Sequence, residues 1–180
     1  AIVVGSHRRS ALARAVLGSV SNGVVHRADT NVFVVPVTAD GRAPDGPVEI
    51  RSIVAATDFS PQAARALRHA ASLLQPGGNL HLLHVLDPGR SPSVDELDAK
   101  LHEAIPVDAQ TRQLRVTTEV ATADGIAAAI LQAAERIDAD AICMGTHGRS
   151  GLLKALLGSQ AEAVVHAANI PVLLVPAPQD

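Results

Sequence analysis

Residues 141–178 read AICMGTHGRSGLLKALLGSQAEAVVHAANIPVLLVPAP, and residues 1–38 read AIVVGSHRRSALARAVLGSVSNGVVHRADTNVFVVPVT; the two align without a gap and agree at 18 of 38 positions. A repeat of this kind has to be found before elements are assigned, because it fixes where each copy begins. Each copy opens on a short apolar run and passes through a Gly-containing loop to apolar residues at helical spacing. It then closes on a second apolar run, so the pattern is strand, loop, helix, strand.

Working outward, only the later copy has a full domain's worth of chain in front of it. The stretch TADGRAPDGPVE (38–49) is rich in Gly, Pro and Asp and reads as a linker. The expected organisation is a C-terminal fragment of a degenerate first copy (1–37), a linker (38–49) and one complete domain (50–180). In that domain the runs RSIVAAT, NLHLLHVL, LRVTTEV, DAICMG and IPVLLVP read as five strands. The segments 60–74, 93–104, 123–137 and 158–169 carry Ala and Leu at helical spacing and read as helices, the first opened by Ser60 before Pro61. Strict alternation predicts an α/β fold, a five-stranded parallel sheet with helices on both faces, preceded by a partial strand-loop-helix-strand unit.

Composition removes several classes of function. With 47% hydrophobic and 18% charged residues the chain is built to fold around a core. Its only aromatic residues are Phe33 and Phe59, too few for the stacking platforms of single-strand nucleic-acid binders. A net charge of −3 gives no basic footprint for nucleic acid or for a membrane surface. The lone Cys143, inside the run AICM, reads as a small buried hydrophobe and points to a reducing compartment. No stretch reaches the roughly 18 apolar residues of a membrane span. The start AIVVGSHRR lacks a basic leader, so a cytoplasmic location is expected. The absence of an initial Met suggests that the chain begins within a longer one.

In an open parallel sheet, ligands sit at the carboxyl ends of strands near a topological switch point. Two such ends stand out. AATDFSP puts Asp58 at the tip of the domain's first strand, and MGTHGRSGLLKALLGSQ follows the fourth. In the latter, Gly145, Gly148 and Gly158–Ser159 let the backbone turn sharply and arrive at a helix start, where unpaired amides favour phosphate oxygens. The Walker A pattern and the GxGxxG fingerprint are both missing. His81 and His84 are spaced H-x2-H on a strand, which turns them to opposite faces and argues against a shared metal. His26 and His166 occupy matching repeat positions on helices and read as packing residues.

Taken together, VAATDFSP, HLLHVLDP, the loop MGTHGRSGLLKALLGS and the closing PVLLVP resemble the universal stress protein family in its ATP-binding branch, over about residues 50–177. Residues 1–38 resemble the end of a second copy. The resemblance implies a Rossmann-like sheet of the adenine nucleotide alpha hydrolase-like kind, commonly dimerised through its last strand. It also implies that Asp58 and Val85 contact adenosine, that Met144, Gly145, His147 and Gly148 line the ribose and phosphate path, and that Gly158, Ser159 and Gln160 hold phosphates. The implied ligand is ATP, with Mg²⁺ bridging its phosphates and no protein metal ligand. Ala56 stands where the family often has Pro, and Gln160 where a small or β-branched residue is common; both count against tight binding. In the first copy the loop retains Gly5, His7, Gly18 and Ser19 but carries Arg8 in place of the central glycine, and no equivalent of Asp58 precedes it. That copy is expected to bind no nucleotide.

The leading expectation is a regulatory module that binds ATP and at most hydrolyses it slowly, since the loop offers no carboxylate beyond Asp58 to position a base or metal. The alternative is a nucleotide-independent dimerisation module with a vestigial site, in which NVFVVP (31–36) covers the strand edge of PVLLVP (171–176) within one chain or across a homodimer. An adenylating enzyme of similar architecture would need an SGGxDS loop or a HIGH-type signature, and neither is present.

Overall fold

A computed structural model describes residues 1–7, 18–37, 49–86, 93–146 and 157–177. The elements in chain order are β1 (Ile2–His7), α1 (Ser19–Arg27), β2 (Val32–Val37), β3 (Ser52–Ala56), α2 (Pro61–Leu73), β4 (Asn79–Leu86), α3 (Val94–Glu103), β5 (Arg115–Thr122), α4 (Ile126–Arg136), β6 (Ala141–Gly145), α5 (Ser159–Ala167) and β7 (Val172–Val175). Local chemistry sets several of these boundaries. The Ser60 hydroxyl accepts from the Ala63 amide, with Pro61 at the first helical position of α2. A capping box between Ser93 and Glu96 opens α3.

The strands form one sheet in the order β1-β2-β7-β6-β3-β4-β5. The five expected strands, β3 to β7, are all parallel to one another where they pair. The sheet does not stop at five, however. β1 and β2 pair parallel to each other, and β2 runs antiparallel against β7. The register pairs Phe33 with Leu173, flanked by Val32 with Leu174 and Val34 with Val172. Phe33 and Leu173 are equivalent positions of the repeat, separated by the same interval as Ala1 and Ala141. A local twofold axis therefore passes through that pair, and the contact is isologous in the manner of a symmetric dimer interface.

Strand side chains alternate between two cores. On one face Val54, Leu83, Val85, Ile142, Val172 and Leu174 pack with residues of α1, α4 and α5. On the other Ile53, Ala55, Leu80, Leu82, Cys143 and Leu173 pack with α2 and with Leu101 of α3. Val25, Val32 and Val34 of the N-terminal repeat belong to the first core together with Val164, Val165 and Leu174, so the repeat shares its hydrophobic interior with the elements that follow it. At the β1 edge the equivalence breaks. Ile2 and Val3 are 39% and 67% exposed, whereas their counterparts Ile142 and Cys143 are 0% and 1% exposed, because β3 pairs with β6.

The carboxyl end of α2 is closed by a distant arginine. Arg112 donates from Nε to Ala71 O at 3.1 Å and from Nη2 to Ser72 O and Leu74 O at 3.2 and 2.7 Å. Its charge complements the negative end of the helix as well as filling acceptors that lack intrahelical donors. Replacing Arg112 by Ala is expected to lower stability by about 1–3 kcal/mol, read from urea denaturation, since charge-assisted bonds to these carbonyls are lost. Lys, which lacks the planar fork, should recover only part of the loss; an unchanged midpoint in the Ala variant would contradict this assignment.

Candidate functional site

β3 lies between β4 and β6, and the chain leaving β3 crosses to β4 while the chain leaving β6 crosses to β7. The connections diverge, so β3 and β6 bound the crevice of a topological switch point at their carboxyl ends. Ala55 is level with Cys143 across this pair, so Asp58 and Thr146, each three residues further on, flank the crevice. On the other side Ala56 is level with Leu83, which brings Val85 alongside Asp58. Val85 and Met144 are 8% and 7% exposed and supply aliphatic walls.

The turn that presents Asp58 is held from several sides. The Phe59 amide donates to Thr57 Oγ1 at 3.0 Å, and the Ser60 amide to Asp58 Oδ1 at 3.0 Å. Thr57 N–H reaches back to Leu83 O at 2.9 Å. Phe59 adopts φ 62°, a left-handed conformation unfavourable for a bulky side chain. Its ring packs against His84 with centroids 4.6 Å apart and planes tilted by 34°. His84 Nδ1 lies 2.8 Å from Thr57 O, and because a carbonyl only accepts, Nδ1 carries the proton. The ring contact and the hydrogen bonds hold the strained turn in place.

The second wall is the start of α5. Gly158 N–H donates to Thr146 O at 2.7 Å, returning the chain to the end of β6. The first intrahelical bond runs from Glu162 N–H to Gly158 O. The amides of Ser159, Gln160 and Ala161 precede it, and the N-cap residue, Gly158, has no side chain to accept from them. α2 and α3 are capped by serine hydroxyls, while α1 and α4 also open on a glycine. A glycine-opened helix start at a switch point offers amides and a positive dipole end to an anion.

The structure thus brings Asp58, Val85, Met144 and Gly145 to the strand ends around the crevice and roots Gly158, Ser159 and Gln160 at the end of β6. His147 and Gly148 lie outside the described residues. His81 and His84 face opposite sides of the sheet. His81 is hydrogen-bonded to Thr117 Oγ1 and Glu119 Oε2, each at 2.8 Å, and Glu119 also pairs with Arg136. Among the described residues no group of three or more His, Cys, Asp or Glu side chains is placed to hold a metal ion. Cys143 is buried with its Sγ against Ala66 O, and burial pushes its thiol pKa up, away from nucleophilic chemistry. Reading His26 as packing alone needs correction, because its Nδ1 accepts a hydrogen bond from the Leu157 amide at 3.2 Å. Sequence reasoning also missed the role of His84; its closeness to the strand tip of β4 was the available signal.

Fold and geometry together define an α/β protein with a crevice at the switch point of its mainly parallel sheet. The family profile described as the universal stress protein family matches residues 1–36 and 49–176, and the chain belongs to that family. It is 33% identical over 183 aligned positions to a universal stress protein of Mycobacterium tuberculosis, covering 96% of this chain and 60% of that relative. The crystal structure of a universal stress protein from Archaeoglobus fulgidus superposes with a TM-score of 0.71 at 27% identity, over 97% of this chain and 61% of that one. The chain therefore spans about three fifths of the length of these two relatives. A universal stress protein from Archaeoglobus fulgidus in complex with dAMP superposes with a TM-score of 0.54 at 26% identity, over 71% of this chain and 99% of that one.

Substituting Thr57 by Val keeps its shape but leaves the Phe59 amide without its acceptor. This is expected to lower stability by about 1–2 kcal/mol in urea denaturation. A variant as stable as the parent would show that the turn before α2 does not depend on this bond.

Proposed function

We propose that the chain is a regulatory module that binds ATP at the β3/β6 crevice, with Mg²⁺ carried on the phosphates, and turns it over slowly or not at all. The observation that carries this reading is the glycine-opened start of α5, tied by Gly158 to the end of β6 across the crevice from Asp58. Asp58, half-buried and held by its turn, is suited to accept from ribose hydroxyls. Val85 and Met144 offer an apolar surface to the base, and the amides of Ser159 and Gln160 offer donors to phosphate oxygens. The dAMP complex of the Archaeoglobus fulgidus relative supports an adenine nucleotide as the ligand class. Mg²⁺ would neutralise the phosphates and keep most of its ligands as water and phosphate oxygen. Slow turnover fits the segment from Thr146 to Gly158, whose sequence contains no carboxylate to position a base or a metal. The charge balance gives no basic footprint for nucleic acid, and a cytoplasmic location belongs to the same proposal. No helix among the described residues is long and apolar enough to cross a membrane.

In this reading residues 1–37 are the closing third of a degenerate first copy, residues 38–49 a linker and residues 50–180 the complete nucleotide-binding unit. The exposed β1 edge supports it, since its counterpart on β6 is covered by β3. Titrating ATP and Mg²⁺ into nucleotide-stripped protein should give one equivalent per chain. Asp58→Ala should weaken both ATP and adenosine about tenfold or more, as expected for loss of hydrogen bonds to a charged acceptor. No binding at millimolar ATP would overturn the proposal, and a second equivalent abolished by changing Gly18 and Ser19 would contradict the inactive first copy.

A second reading, an association module independent of nucleotide, is favoured by one observation: β2 occupies the free edge of β7 around a local twofold axis. Deleting residues 1–38 would expose that edge. The shortened chain is expected to dimerise through paired β7 strands, seen as a doubled mass in analytical ultracentrifugation, while a monomer would argue that β7 has no such preference.

A further inference from the structure

Leu157 stands immediately before the glycine that opens α5 and is 7% exposed. Its amide donates to Nδ1 of His26, in α1 of the N-terminal repeat, at 3.2 Å. The backbone N–H can only be the donor, so Nδ1 carries the lone pair and the neutral ring keeps its proton on Nε2. The next amide, that of Gly158, is taken by Thr146 O at 2.7 Å. Two successive amides are thus tied to two different elements, and the three that follow form the first turn of α5, opened by a glycine with no capping side chain. Val25, beside His26, and Leu157 belong to the same buried cluster as Val164 and Val165 of α5, so apolar packing fixes the ring where its nitrogen meets the amide.

We propose that His26 is a positioning residue for the phosphate cradle, so that the N-terminal repeat completes the nucleotide site of the other copy without binding nucleotide itself. The proposal rests on the reading that the start of α5 takes phosphates. Without an acceptor at His26 the nearly buried Leu157 amide loses its partner, and the chain entering α5 has to turn toward another one. The three amides of the first turn move with it. An aliphatic residue at position 26 would satisfy the apolar packing of α1 but not the amide. The effect is confined to the phosphate end, because Asp58 and Val85 are held by β3 and β4.

The test uses the full chain with His26→Ala and His26→Asn, Asn offering Oδ1 where the ring offers Nδ1. His26→Leu replaces the Ala variant if that one does not fold. In nucleotide-free protein the Leu157 amide should exchange about tenfold faster in His26→Ala, the loss expected for one hydrogen bond. ATP affinity should fall by about the same factor, adenosine affinity should stay within about twofold, and His26→Asn should restore ATP binding and amide protection. An unchanged ATP affinity in His26→Ala, parallel loss of ATP and adenosine, or failure of Asn to rescue would each overturn the role of His26. If the unaltered chain binds no ATP at all, the nucleotide reading falls and this role with it; ATP binding in the unaltered chain matched by His26→Ala removes the role alone.

Discussion

The antiparallel pairing of β2 with β7 is the contact on which the rest of the architecture depends. A parallel sheet of five strands would leave β7 as an edge with unpaired amides and carbonyls. The repeat supplies a near-copy of that strand, and two like strands can pair around a twofold axis because each then meets what it presents. Phe33 opposite Leu173 marks the axis. The same operation sets α1 and α5 on one face of the sheet, where their valines merge into a common core. The contact between His26 and Leu157 is a consequence of that placement.

The proposed site lies where the connections from β3 and β6 part. A strained turn at Phe59 presents Asp58 on one side, and a helix opened by a glycine stands on the other. The first is locally unfavourable, since a non-glycine residue in the left-handed region costs free energy. The second has no N-cap side chain to accept from its first-turn amides, and an anion-bearing ligand would supply acceptors there. The two phenylalanines of the chain serve as joints, one on the twofold axis and one beneath the Asp58 turn, and neither is an open stacking platform.

Much of this was legible in the sequence. Apolar runs bounded by turn residues located β3 to β7, and Ser60-Pro61 marked a helix start that the structure caps as expected. The repeat placed β1, α1 and β2 by analogy with β6, α5 and β7. Other features depend on distances between residues far apart in the chain and leave no local pattern. The Arg112 closure of α2 and the packing of His84 on Phe59 are of this kind, whereas the pairing of residues 31–36 with 171–176 was one alternative the repeat had offered. His26 shows the limit clearly: its recurrence at position 166 signalled a shared role, but helical spacing alone could not separate an acceptor from a packing side chain.

The account's central claim is that nucleotide phosphates lie at the start of α5. It is tested most directly by following backbone amide resonances while ATP and Mg²⁺ are added to stripped protein. The largest shifts should fall on Gly158, Ser159 and Gln160, with a second group at Asp58 and Val85, and those of Gly18 and Ser19 should be small. Shifts centred on Gly18 and Ser19 or on the β5 edge, with none at Ser159 and Gln160, would contradict it.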